Sequence, residues 1–187
     1  NKDINNLLEQ IKSRLHPMDV IRTIVSYIGE SEKKSDLEAT TQISAAVAYV
    51  IASYNDSKTS KLNDEYTVAS SMLSDEASKD QLQALDDILI LYAEHGFNAS
   101  TFATRVTGST RSDLTSSIVS GIGTLKGELH GGANERAVEL INSFQDVEDA
   151  TVGVMKMLDE KKKIMGFGHG VYKIISKCGF LRWIIVV

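Results

Sequence analysis

Apolar positions recur every three to four residues through most of the chain, the period of one helical face. Leu7, Leu8, Ile11 and Leu15 form the first such series. His16-Pro17-Met18-Asp19 interrupts it, and Val20, Ile24 and Tyr27 resume it in a second helix for which Gly29 is a candidate C-cap. Ser35 with Glu38 reads as a capping box, and it opens a long helix carrying Leu37, Ile43, Val47, Val50, Ile51 and Tyr54, which is expected to be largely buried. The polar run 55–63 reads as a loop, followed by Tyr66, Ala69 and Leu73 on one face.

Leu82, Leu85, Ile88 and Tyr92 continue the period and deliver His95 at a helix end beside Gly96. Asp113 is placed to cap a helix whose face is Leu114, Ile118, Ile122 and Leu125. Helix returns with Val138 and Ile141, and again from Val147 to Lys161 through Val147, Thr151, Val154 and Leu158. No alternating pattern of strand type competes before residue 171. The fold expected is therefore all-α.

Composition sharpens this picture. One proline and 6% aromatics in 187 residues leave few helix breakers and few strand formers. Twenty basic against twenty-five acidic residues give a net charge of −5 without a Lys/Arg block, which disfavours a nucleic-acid role. No apolar run is long enough to span a membrane, and the start Asn1-Lys2-Asp3 lacks the features of a signal peptide. A single cysteine, Cys178, excludes an internal disulfide and fits a reducing compartment, so a cytoplasmic location is expected. The apolar segment 174–187 is expected to pack on the core.

The candidate chemistry lies in three glycine-flanked histidines at helix boundaries: His95-Gly96, His130-Gly131-Gly132 and Gly168-His169-Gly170. Glycine permits close approach of a ligand and frees amide donors, a helix N-terminus favours an anion, and histidine exchanges protons near neutral pH. Together they point to one pocket for a small carboxylate or phosphate compound. A structural reading of each histidine taken singly, as a cap or a satisfied polar group, stands beside this one. No HxxxH or HExxH pair exists, so no metal site is expected, and Gly166-x-Gly168 and Gly121-x-Gly123 fall short of a dinucleotide fingerprint.

Three longer segments carry a resemblance. Glu94-His95-Gly96-Phe97-Asn98-Ala99-Ser100-Thr101-Phe102, then Leu129-His130-Gly131-Gly132-Ala133-Asn134-Glu135, then Met165-Gly166-Phe167-Gly168-His169 with Val171-Tyr172-Lys173, resemble the citrate synthase family in order and spacing. His16-Pro17-Met18-Asp19-Val20 is similar to a further family segment. The motifs do not separate the citrate from the 2-methylcitrate branch.

The resemblance implies a multihelical protein with a large-domain portion over 1–129, the start of a small domain with active-site loops over 130–173, and an atypical tail over 174–187. It implies a homodimer that condenses acetyl-CoA or propionyl-CoA with oxaloacetate, with the coenzyme A thioester as substrate and no cofactor. By motif position His130 corresponds to the donor to the thioester carbonyl and His169 to the residue that polarises the oxaloacetate carbonyl. His95, Asn98, Gly131 and Asn134 correspond to further substrate contacts, and Met165, Gly166, Phe167 and Gly168 to the part lying against coenzyme A. A non-catalytic helical oligomerisation fragment of the same ancestry is the alternative.

The matched segments imply a chain incomplete at both ends. Gly170 stands where the family has arginine, and 174–179 departs from the Thr-x-Asp-Pro-Arg-like segment that follows. The family's aspartate base and further carboxylate-binding arginines are not found, so turnover below the family's usual rate is expected.

Overall fold

The computed structural model describes residues 2–29, 35–54, 68–74, 76–93 and 96–166. Nine helices follow one another in these residues: α1 (Lys2–Ile11), α2 (Pro17–Ile28), α3 (Asp36–Tyr54), α4 (Val68–Met72), α5 (Lys79–Tyr92), α6 (Ala99–Ser109), α7 (Leu114–Leu125), α8 (Gly132–Asn142) and α9 (Val147–Asp159). No strand occurs among the described residues. The chain divides into two compact units, 1–123 and 124–187.

In the first unit α2 is the hub. Pro17 sits in its first turn, where a missing amide costs nothing, and His16 Nδ1 accepts the Met18 amide at 3.2 Å. The helix buries Val20, Ile21, Ile24, Val25 and Ile28 against Leu8 of α1 and Ile43 and Val50 of α3. Each such aliphatic side chain contributes about 1.5–3 kcal/mol when fully buried. Two phenols tie α3 to the first segment, Tyr49 donating to Asn5 Oδ1 at 2.8 Å and Tyr54 to the Lys12 carbonyl at 3.1 Å.

Local signals explain most of the boundaries. Ser35 and Glu38 form the expected box, Glu38 Oε2 accepting the Ser35 amide at 2.9 Å. Asp113 caps α7 by accepting the Ser116 amide at 2.7 Å and the Ser116 hydroxyl at 2.6 Å. These two hydrogen bonds, the hydroxyl first, hold the Asp113 carboxyl below its ordinary range.

Several expectations are corrected. The first helix stops at Ile11, leaving Leu15 exposed in the turn before Pro17. α3 is buried through its middle but not at its start, where Leu37 is 78% exposed. Gly29 does cap α2, yet its φ of −67° is right-handed, so conformational freedom is not the reason for glycine. A Cβ there would collide with the side chain of Thr115 at the start of α7.

The same kind of close approach brings α6 onto α7, where a Cβ on Gly121 would strike Thr104 Oγ1 and one on Gly108 would lie 3.4 Å from Ser117 Oγ. Consequently α7 turns Ile118, Val119 and Ile122 onto the core cluster, so its apolar face belongs to its own unit. α5 buries no residue completely, and Ile88, Ile90, Leu91 and Tyr92 are exposed. No described helix is long and apolar enough to cross a membrane.

In the second unit Asp146 caps α9 by accepting the Asp149 amide at 2.9 Å, and Phe144 lies over Gly153, where no side chain would fit. α9 ends with Lys161 left-handed at φ 53°, while the Lys162 amide donates to the Met157 carbonyl at 2.8 Å and the Lys161 amide to Leu158 at 3.0 Å. This pair of crossed bonds is the Schellman termination, normally built on glycine. Tyr66, the segment 174–187 and Cys178 lie outside the described residues.

Candidate active site

The half-buried His130 stands on the turn that joins α7 to α8. Five consecutive amides in that turn are consumed by the turn itself. His130 donates to the Gly127 carbonyl at 2.9 Å, Gly131 to Leu125 at 2.8 Å and Gly132 to Gly127 at 3.1 Å. Ala133 then donates to His130 at 3.0 Å and Asn134 to Gly131 at 3.1 Å. For this turn the expectation that the glycines free amides for a ligand is thus corrected.

What the glycines provide is room. Gly131 has φ −59°, open to any residue, but a Cβ on it would lie 2.5 Å from the Leu125 carbonyl oxygen. A Cβ on Gly132 would lie 3.0 Å from the Gly127 oxygen. The chain folds back on the end of α7 only because both positions lack a side chain. Glu128 and Arg136 bracket the turn with an ion pair of 3.0 Å between largely exposed side chains, a contact of small energetic weight.

With these backbone donors engaged, hydrogen bonding to a ligand from this turn falls to side chains, and the His130 imidazole is of a type that can donate or accept. It sits just before the N-terminus of α8, whose dipole favours negative charge.

The turn after α9 belongs to the same unit. Met165 and Gly166 are half-buried, Gly166 is left-handed at φ +87°, and a Cβ added to it would come within 3.1 Å of Ala137 Cβ on α8. The glycine here is favoured by its left-handed conformation, and the neighbouring methyl adds a tight contact for any side chain.

Asn98 belongs to the first unit and caps α6. Its Oδ1 accepts the Thr101 amide at 2.8 Å and the Ser100 hydroxyl at 2.8 Å. Beside it Phe97 and Phe102 meet edge to face at 5.6 Å between centroids, and the Arg105 guanidinium lies 5.2 Å from the Phe97 ring centre. Gly96 is left-handed at φ +49°. Asn134 is exposed in the first turn of α8. His95, Phe167, Gly168 and His169 lie outside the described residues, and with them the expected meeting of three histidines in one pocket. Among the described residues no group of His, Cys, Asp and Glu could hold a metal ion.

Residues 1–176 match the profile described as citrate synthase, C-terminal domain. The chain belongs to the citrate synthase family. It is 39% identical over 183 residues to a 2-methylcitrate synthase of Shewanella oneidensis, covering 91% of this chain and 49% of that one. It is 34% identical to citrate synthase 2 of Bacillus subtilis, covering 89% of this chain and 50% of that one.

The structure is similar to the crystal structure of citrate synthase from Thermotoga maritima, with a TM-score of 0.70, 30% identity and coverage of 92% of this chain and 49% of that one. It is also similar to the citrate synthase of Thermoplasma acidophilum in a ternary complex with carboxymethyl coenzyme A and oxaloacetate, with a TM-score of 0.67, 26% identity and coverage of 95% of this chain and 50% of that one. The chain spans about half the length of the curated relatives it matches. In this citrate synthase family member two positions that sequence reasoning passed over bear on these turns: the Leu125 carbonyl, which accepts the Gly131 amide, and Ala137, whose Cβ would lie 3.1 Å from one added to Gly166. Neither residue type carries a signal for such a role.

Proposed function

We propose that this chain takes part in the condensation of an acyl-CoA, acetyl-CoA or propionyl-CoA, with oxaloacetate to give citrate or 2-methylcitrate and coenzyme A. The observation that carries this reading is the turn between α7 and α8, which uses its amides from His130 to Asn134 internally, so that a hydrogen bond from this turn to a substrate oxygen comes from a side chain, for which the His130 imidazole has the right chemistry. Removing a proton beside a thioester places negative charge on the carbonyl oxygen, and a neutral imidazole is able to donate to it.

In this reading His130 binds the thioester oxygen, His169 polarises the ketone of oxaloacetate and His95 is a further oxaloacetate ligand. Asn98 acts through its amide nitrogen, because its oxygen is committed to capping α6. Gly131 contributes space rather than a donor, Asn134 contacts substrate from the first turn of α8, and Met165, Gly166, Phe167 and Gly168 lie against coenzyme A. No metal or other cofactor takes part. The names of the relatives, both 2-methylcitrate and citrate synthases, support the reaction class and leave the acyl group to experiment.

A cytoplasmic homodimer is part of the same proposal, supported by the exposed apolar residues Ile88, Ile90, Leu91 and Tyr92 of α5. Sedimentation at micromolar concentration tests it, a dimer being expected and a monomer contradicting it.

Coenzyme A release from acetyl-CoA and propionyl-CoA, with and without oxaloacetate, tests the activity. Release should require oxaloacetate and fall about 10²- to 10⁴-fold in His130→Ala. Release that ignores oxaloacetate, or that His130→Ala leaves unchanged, would refute the assignment. A dimer without any response to oxaloacetate would favour the non-catalytic alternative.

A further inference from the structure

The turn that carries His130 is closed by its own backbone. Gly127 donates its amide to the Thr124 carbonyl at 3.0 Å, and its own carbonyl accepts two amides, that of His130 at 2.9 Å and that of Gly132 at 3.1 Å. Between these two bonds the Gly131 amide reaches back to the Leu125 carbonyl at 2.8 Å. Three consecutive amides, beginning with that of His130, are thus anchored to the segment 125–127, and all of these groups belong to the second unit. The anchoring has one steric condition. A Cβ on Gly131 would lie 2.5 Å from the Leu125 oxygen, the same atom that accepts the Gly131 amide. That oxygen is part of the backbone and cannot swing aside as the end of a flexible side chain does, so a side chain at 131 has to move the turn itself.

We infer that Gly131 is the positioning residue of His130, and that the turn holds its form before substrate binds. The inference rests on the acyl-CoA reading above, which makes His130 the donor to the thioester oxygen. The role assigned to Gly131 needs no contact with substrate. Its lack of a side chain lets the chain close on Leu125, and the closed turn fixes the backbone from which the imidazole extends. A donor fixed in advance needs no rearrangement as charge develops on the carbonyl oxygen, whereas a misplacement of about 1 Å is enough to lose roughly 10²-fold in rate.

The test compares Gly131→Ala with Gly153→Ala in the full chain. Each adds one methyl group at a crowded position of the second unit, but the methyl at 153 meets the ring of Phe144 rather than the His130 turn. The readout is the ¹³C resonance of carbonyl-labelled acetyl-CoA bound in the presence of oxaloacetate, with far-UV circular dichroism recorded on each variant. Gly131→Ala should keep its helix content and still bind acetyl-CoA, yet lose most of the downfield shift seen with the parent. Gly153→Ala should keep the shift. Amide hydrogen exchange of the parent is the second readout: the His130, Gly131 and Gly132 amides should be protected about 10²-fold or more before acetyl-CoA is added. If Gly131→Ala does not fold, this second readout decides.

A full shift in Gly131→Ala, a shift lost equally in Gly153→Ala, or amides that become protected only when acetyl-CoA is added would overturn the inference and leave the acyl-CoA reading intact. A parent chain that binds no acetyl-CoA, or binds it without a shift of the carbonyl, would overturn the reading and this inference with it.

Discussion

The Gly131 amide donates to the Leu125 carbonyl at 2.8 Å, so the turn bearing His130 is tied to the last residue of α7. This bond and the absence of a side chain at 131 are two sides of one arrangement, because the space a Cβ would need is occupied by the same carbonyl oxygen. Gly131→Ala should therefore displace the turn and destabilise the chain by about 1–3 kcal/mol, the usual cost of overpacking. Chemical denaturation checks this, and a loss under about 0.5 kcal/mol, as at an ordinary surface site, would contradict it.

The core prediction concerns Ile24, fully buried on α2 within the cluster shared with Leu8, Ile43 and Val50. Ile24→Ala should cost about 2–5 kcal/mol through lost burial and the cavity left behind. Urea unfolding measures it. The exposed Ile90→Ala, 72% accessible, should cost far less in a monomeric preparation.

Asp113 supplies a pH signature. Its carboxyl is held below the ordinary range by the Ser116 hydroxyl and then the Ser116 amide. A carboxyl whose folded value lies below the unfolded one, about 3.9, favours folding above that pH and loses this contribution as pH falls through the folded value. Wild type should exceed Asp113→Ala by about 0.5–2 kcal/mol at pH 6, the ordinary worth of an N-cap, and the gap should narrow as pH falls below about 4 and on through the lowered folded value, since the neutral carboxyl still accepts the amide but loses the charge-assisted part. A gap independent of pH would show that the charge plays no part.

Lys161 offers a gain in stability. It occupies a left-handed position at the end of α9 that costs a residue with a Cβ about 1–2 kcal/mol, against about 0.5–1 kcal/mol of extra chain entropy lost by glycine. Lys161→Gly should raise stability by about 0.5–1 kcal/mol, read from the thermal midpoint. A lower midpoint would contradict the Schellman assignment.

The helices and their caps were legible in the sequence because period and capping chemistry act over a few residues. Ser35 with Glu38 and Asp113 do what their spacing implies. Ser78, which forms a capping box with Gln81, and Asp146 carry the same kind of signal and were overlooked. What could not be read was tertiary. Gly29 and Gly131 look like turn or helix-end glycines and Gly121 like a weak point inside a helix, yet each leaves room for Thr115, the Leu125 carbonyl or Thr104, partners 86, 6 and 17 positions away in the chain. The burial of Ile118 and Ile122 likewise depends on α7 reaching the α2 core, which no local pattern announces.

The site was legible as motifs and not as geometry. Three glycine-flanked histidines marked the segments correctly enough to place the chain in its family. The use of every amide from His130 to Asn134 inside the turn follows only from its folded shape, and it removes the backbone donors that the glycines at 131 and 132 were expected to free.

The measurement that tests this most directly is the ¹³C resonance of carbonyl-labelled acetyl-CoA bound to the chain in the presence of oxaloacetate. A hydrogen bond from His130 to the thioester oxygen polarises the carbonyl and should move its signal downfield on binding, and the shift should vanish in His130→Ala. A bound thioester with an unshifted carbonyl, or one shifted equally in His130→Ala, would contradict the role given to His130.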